Sequence, residues 1–89
     1  MEDKIKNLRQ FVEIKQKYPT AIVLFRVGDN YEALHEDADV ISKVTGSDIE
    51  KNEIEGYRYT FFQSCKLDMY LPILVRRGYR IAIADGELR

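Results

Sequence analysis

The 89-residue sequence has no tryptophan, one cysteine, one histidine, two prolines and five glycines. A lone Cys65 excludes an intrachain disulfide and any thiolate metal cluster, and it agrees with a reducing compartment. His35 is the only imidazole, so a metal centre lacks nitrogen and sulfur ligands at useful spacing. It is also the only candidate base for a nucleophilic triad, and no such arrangement can be assembled around it. Gly28, Gly46, Gly56, Gly78 and Gly86 are scattered and build no phosphate-binding loop. Apolar runs fall far short of the ~20 residues that span a bilayer. The opening residues do not read as a signal peptide, so a cytoplasmic, non-membrane protein is expected. No cofactor or metal is implied, and enzymatic activity has no support. Net charge is nearly absent too: 14 Lys and Arg stand against 15 Asp and Glu, for -1. That balance is unlike the strongly basic composition of a typical nucleic-acid binder.

What is present is apolar. The chain is 45% hydrophobic and carries six tyrosines and four phenylalanines, enough to offset chain entropy and exclude disorder. Its length fits one domain, 1–89, burying roughly 60–65% of its unfolded surface. Residues 4–18 read as an amphipathic helix. Ile5, Leu8, Phe11, Val12 and Tyr18 face inward, with Lys4, Lys6, Arg9, Lys15 and Lys17 opposite and Pro19 as the stop. Ala21 to Val27, rich in β-branched residues, reads as a strand buried on both faces, with Arg26 near its exposed end.

Gly28-Asp29-Asn30 marks a turn. A second helix is expected over 31–45, with Tyr31, Leu34, Ala38, Ile41 and Val44 inward, Asp29 and Glu32 spaced as a capping box, and Gly46 ending it. Glu36, Asp37 and Asp39 on this helix read as a solvated face rather than a cation site. Residues 47–56 hold at most a short strand and a loop. Tyr57 to Phe62 alternates as a strand, with Tyr57, Tyr59 and Phe61 on one face and Arg58 and Thr60 on the other. Ser64 is a candidate cap for a third helix through Arg77, with Leu67, Tyr70, Leu71, Leu74 and Val75 inward. Pro72 implies a kink in it or a start nearer Tyr70. Gly78 ends it, and Arg80 to Ala84 forms a final buried strand. Cys65 reads as a buried or half-buried small residue. The pattern is a small α/β domain with about three helices.

Charge by segment is uneven. Residues 20–56 hold nine acids against three bases, whereas 57–81 hold Arg58, Lys66, Arg76, Arg77 and Arg80 against Asp68. The second stretch suits a few phosphate contacts; solvated arginines at a helix C-terminus explain it equally well.

Phe11 to Glu32 reads Phe-Val-Glu-Ile-Lys-Gln-Lys-Tyr-Pro-Thr-Ala-Ile-Val-Leu-Phe-Arg-Val-Gly-Asp-Asn-Tyr-Glu. This stretch, Glu36-Asp37-Ala38, and the block Tyr70-Leu71 through Gly78 to Ile83 together resemble the N-terminal mismatch-recognition domain of the MutS family over about residues 8–85. The resemblance implies a mixed β-sheet flanked by helices and a DNA partner. In that family a phenylalanine of a Gly-Asp-Phe-Tyr-Glu motif wedges into the base stack at a mismatch, and the glutamate hydrogen-bonds a base. Here the motif is Gly28-Asp29-Asn30-Tyr31-Glu32: the wedge position holds Asn30, and the glutamate is kept as Glu32. By carry-over, Asn30 and Glu32 mark the reading site. A short polar Asn30 lacks the reach and the π-face to stack on a base. The family's Ala-Gly-x-Pro-x-His-Ala turn is also replaced by Tyr59 to Ser64, and its last strand ends here in Asp85-Gly86-Glu87-Leu88.

The expectation is therefore a DNA-associated accessory domain within a larger DNA-processing protein. It would bind double-stranded DNA weakly and without mismatch preference, through Arg58, Arg76, Arg77 and Arg80. The alternative is a protein-interaction or structural module that kept the fold and lost DNA contact.

Overall fold

A computed structural model describes the backbone of residues 2–53 and 56–85, and side chains from Leu8 onward within that range. The side chains of Lys4, Ile5 and Lys6, and the strand end at Gly86, Glu87 and Leu88, lie outside the described residues. The chain runs α1 (Glu2–Lys17), β1 (Ala21–Val27), β2 (Asn30–Leu34), α2 (His35–Thr45), β3 (Glu50–Lys51), β4 (Arg58–Gln63), a 3-10 turn (Ser64–Lys66), α3 (Leu67–Arg76) and β5 (Arg80–Asp85). Five strands form one mixed sheet in the order β3-β4-β2-β1-β5. Among the described residues, only β1 and β5 pair in parallel. This is the α/β fold with a small mixed sheet and three helices that the sequence led us to expect.

β1 lies inside the sheet, and its Ala21 to Phe25 are buried, as an unbroken apolar strand covered on both faces must be. Ile22 and Leu24 pack with Tyr31, Ala33, Ile41, Phe62 and Leu74 beneath α2 and α3. Val23 and Phe25 pack with Phe11, Leu34 and Tyr57 beneath α1. Each large apolar side chain so buried contributes about 1.5–3 kcal/mol.

The second helix begins later than the periodicity suggests. Asn30 to Leu34 is instead a strand, joined to β1 by the two-residue loop Gly28-Asp29, with Val27 opposite Asn30. Gly28 has φ 61°, the positive value demanded of the first residue in a tight hairpin turn with glycine first. Asp29 and Glu32 therefore form no capping box. The strand gives way to α2 at His35, whose φ of 54° is uncommon for a residue with a Cβ. Its ring lies 5.3 Å from that of Phe11 and 6.1 Å from that of Tyr57.

Four further expectations change. Ser64 does not cap α3: its backbone N–H donates to the Asp29 carbonyl at 2.8 Å, and α3 starts at Leu67, not near Tyr70, with Pro72 inside it. β5 is an edge strand, so its residues are half-buried or exposed rather than buried. Val12, Tyr18 and Val75 are exposed rather than inward, and Tyr18 lies just past the end of α1. Cys65 is exposed as well. The stop of α3 follows expectation. Gly78 takes φ 90°, Tyr79 N–H donates to the Leu74 carbonyl and Gly78 N–H to that of Val75, the paired bonds of a Schellman end.

Candidate functional site

The sheet sorts the six candidate residues into two groups. β4 and β5 both run parallel to β1, so their first residues, Arg58 and Arg80, sit at the Ala21 end. Arg76 and Arg77 at the C-terminus of α3 lead directly into Arg80. Asn30 sits at the other end, opposite Val27 on one side and Gln63 on the other. Six residue steps of β1 separate the ends, about 20 Å.

At the Ala21 end, Arg76, Arg77 and Arg80 are exposed and make no ion pair among the described residues. Arg80 borders a hollow of about 420 Å³ that also takes in Lys17, Tyr18 and Pro19. Arg58 differs: its guanidinium lies 2.9 Å from an Asp39 carboxylate oxygen, with both side chains more than two-fifths exposed. Such a surface pair leaves Arg58 available to a stronger anion at small cost.

At the hairpin end, strand alternation places Asn30, Glu32 and Leu34 on the α1 face and Tyr31 and Ala33 on the other. Asn30 is half-buried, and Glu32 is only 3% exposed. Phe61 stands opposite Glu32 in register, and Gln63 opposite Asn30. Val27, Asn30, Glu32, Tyr59 and Phe61 enclose a hollow of about 120 Å³. Arg26 closes the corner from the other face, 5.5 Å from the centre of the Tyr31 ring, with its Nε donating to the Gly28 carbonyl at 2.9 Å.

The acidic run on α2 is not uniformly solvated. Asp37 is 2% exposed and accepts hydrogen bonds from the Val23 backbone N–H and from Lys15 Nζ, each at 2.9 Å. Lys15 Nζ also donates to the Ala21 carbonyl. Burial pushes the Asp37 carboxyl above its ordinary value, against the downward pull of Val23 and Lys15. The group thus ties α1, α2 and β1 together beyond the last pair of β1 with β2. No cluster of three or more potential metal ligands occurs among the described residues.

The family model for MutS domain I matches residues 6–88. The chain belongs to the MutS domain I family. Similar proteins described as DNA mismatch repair protein MutS include those of Porphyromonas gingivalis, 46% identical over 81 residues, and Cytophaga hutchinsonii, 47% identical. A third, from Thermosipho melanesiensis, is 43% identical. Each match covers 88% of this chain but only 9–10% of the relative. The chain thus spans about a tenth of the length of the curated relatives it matches.

In this MutS domain I, Asn30, which the resemblance matches to the family's wedge, is the first residue of β2, just past the hairpin turn. Sequence reading placed Asn30 on a loop or helix start and so missed its pairing to Gln63. Phe61 and Lys17 stand outside the six candidates, and Lys66 enters only as one base of the 57–81 stretch. A signal for Phe61 existed in the alternation of 57–62, since the ring farthest along that face lies beyond the core that Tyr57 and Tyr59 share with α1. Lys17 carries no signal, because only the fold brings it to Arg80.

Proposed function

We propose that this MutS domain I is a DNA-associated accessory module of a larger DNA-processing protein. It binds double-stranded DNA weakly through Arg58, Arg76, Arg77 and Arg80, without the mismatch preference of a wedging ring. The observation that carries the reading is membership of a family whose relatives are DNA mismatch repair proteins, combined with Asn30 at the wedge position. Asn30 and Glu32 occupy the base-reading position by carry-over, but an amide cannot intercalate, so no unstacking of a weak base pair is exploited. Arginine contacts to phosphate carry affinity without sequence information. On this reading the module itself has no catalytic role.

Titration of labelled homoduplex and mismatched duplex tests this. Equal, weak binding to both is expected. Four phosphate contacts predict a loss of about a hundredfold between 50 and 200 mM salt. Absence of binding at low salt would refute the reading.

A second reading, a protein-interaction module, rests on the Arg58–Asp39 pair and the acidic excess of residues 20–56. It predicts backbone amide shifts confined to α2 on adding a protein partner, and none at Arg76 or Arg77 on adding DNA.

A further inference from the structure

Phe61 is 46% exposed, although its neighbours on the same strand face, Tyr57 and Tyr59, pack under α1. Core packing does not account for the ring. It borders two hollows. One is the sheet-face hollow shared with Asn30 and Glu32. The other, about 280 Å³ at the open edge of β4, takes in Asn30, Gln63 and Lys66. A half-exposed aromatic residue thus shares these hollows with Asn30 and Gln63, whose amides both donate and accept hydrogen bonds, and with Lys66; Phe62 and Tyr70 also line the second.

We propose that Phe61, with Asn30, Gln63 and Lys66, forms a stacking subsite for an unpaired base of single-stranded DNA. This deepens the DNA-binding reading above and rests on it. A base inside a duplex keeps its faces covered by its neighbours and cannot lie on a ring set into a sheet surface; an unpaired base can. Stacking on an aromatic side chain is tolerant of base identity, and the amides then meet the base edge. Lys66 supplies the cation for the adjoining phosphate. Nearby Asp29 and Glu32 oppose phosphate and keep the affinity low. The duplex contacts of the arginines lie at the other end of the sheet, so the two modes are separable.

The test uses the 89-residue chain and fluorescence anisotropy with a labelled 20-nucleotide oligothymidine and a homoduplex of the same length. Phe61→Leu keeps the apolar bulk and removes the π-face; Phe61→Tyr restores it. Circular dichroism confirms that both variants fold, as an exposed position should allow. The expected result is tighter binding to the single strand than to the duplex. Phe61→Leu weakens single-strand binding about fivefold or more and leaves duplex binding unchanged, while Phe61→Tyr matches the parent. Single-strand binding that is no tighter than duplex binding, or unaltered in Phe61→Leu, overturns the subsite and leaves the duplex reading intact. Phe61-dependent single-strand binding with no duplex binding supports the subsite and refutes the arginine reading. Absence of binding to either DNA overturns both.

Discussion

Replacing Asp37 by alanine should be among the most damaging single changes on the surface of α2, although the sequence presents it as one acid among several. Its carboxylate accepts the Val23 N–H, a buried donor in the core strand that lies beyond the last β1–β2 pair, Phe25 with Glu32. Leaving such a donor unsatisfied costs about 1–3 kcal/mol. Asp37 also lies in the first turn of α2, where a carboxylate stabilises the helix end by about 0.3–1 kcal/mol. Lys15 is 24% exposed and keeps the Ala21 carbonyl, so its charge turns toward water and adds little. The sum is about 1.3–4 kcal/mol, a large part of the ~5–13 kcal/mol expected of a domain this size. Urea denaturation of the parent, Asp37→Ala and Asp39→Ala measures it. Asp39 serves as the control because its pair with Arg58 is exposed and contributes less than about 1 kcal/mol. Acid titration adds a second signature. Burial raises the Asp37 carboxyl above 3.8, so the folded chain holds that proton more tightly than the unfolded chain. The contribution of the group is then complete below pH 3.8 and declines as pH rises through the folded value, becoming constant above it. The stability difference between parent and Asp37→Asn should follow that curve. If Asp37→Ala costs no more than Asp39→Ala, the idea that this carboxylate completes the edge of β1 is wrong.

Gly28→Ala forces a Cβ into φ 61° and should cost about 1–2 kcal/mol in thermal unfolding, with the hairpin amides the first to lose hydrogen-exchange protection. Gly78→Ala, at φ 90° with no atom within 4 Å of the added Cβ, should cost a similar amount from backbone strain alone, measurable in the same way. Asn30→Phe returns a ring to the first position of β2, and if the surrounding surface suits the old reading geometry, anisotropy should show a gain for mismatched over matched duplex. Unchanged affinity would mean that Phe61 and Gln63 have remodelled the surface.

The sequence made the sheet core legible because β1 is apolar without interruption, and such a run has one physical outcome in a small α/β chain. The helix ends at Gly46 and Gly78 were legible for a similar reason, since a left-handed residue leaves little choice but glycine. Asn30 to Leu34 was not. Tyr31, Leu34 and Ala38 satisfy a helical spacing, while Tyr31, Ala33 and the opposing Asn30 and Glu32 equally satisfy a strand. The deciding term is the pairing of this segment to β4 as well as to β1, and the β4 pairing is non-local. Asp37 failed for a related reason. Burial of one acid among Glu36, Asp37 and Asp39 depends on where Lys15 and the bare end of β1 arrive in space.

The separation of the candidate residues also follows from strand direction. Parallel pairing of β5 to β1 obliges both strands to begin at one end, and β4 shares that direction through two antiparallel steps across β2. Residues that open β4 or β5, or lead into β5 as Arg76 and Arg77 do, must therefore gather opposite the β1–β2 turn. Basic residues placed there can neutralise phosphates without approaching the proposed base-reading position about 20 Å away. At 3.4 Å per nucleotide along one strand, that distance corresponds to about six nucleotides. A single ligand touching both ends must span at least that far. A trinucleotide should therefore engage only the Phe61 end and be insensitive to Arg76→Ala. A 20-nucleotide strand can reach both, and should lose affinity in either variant.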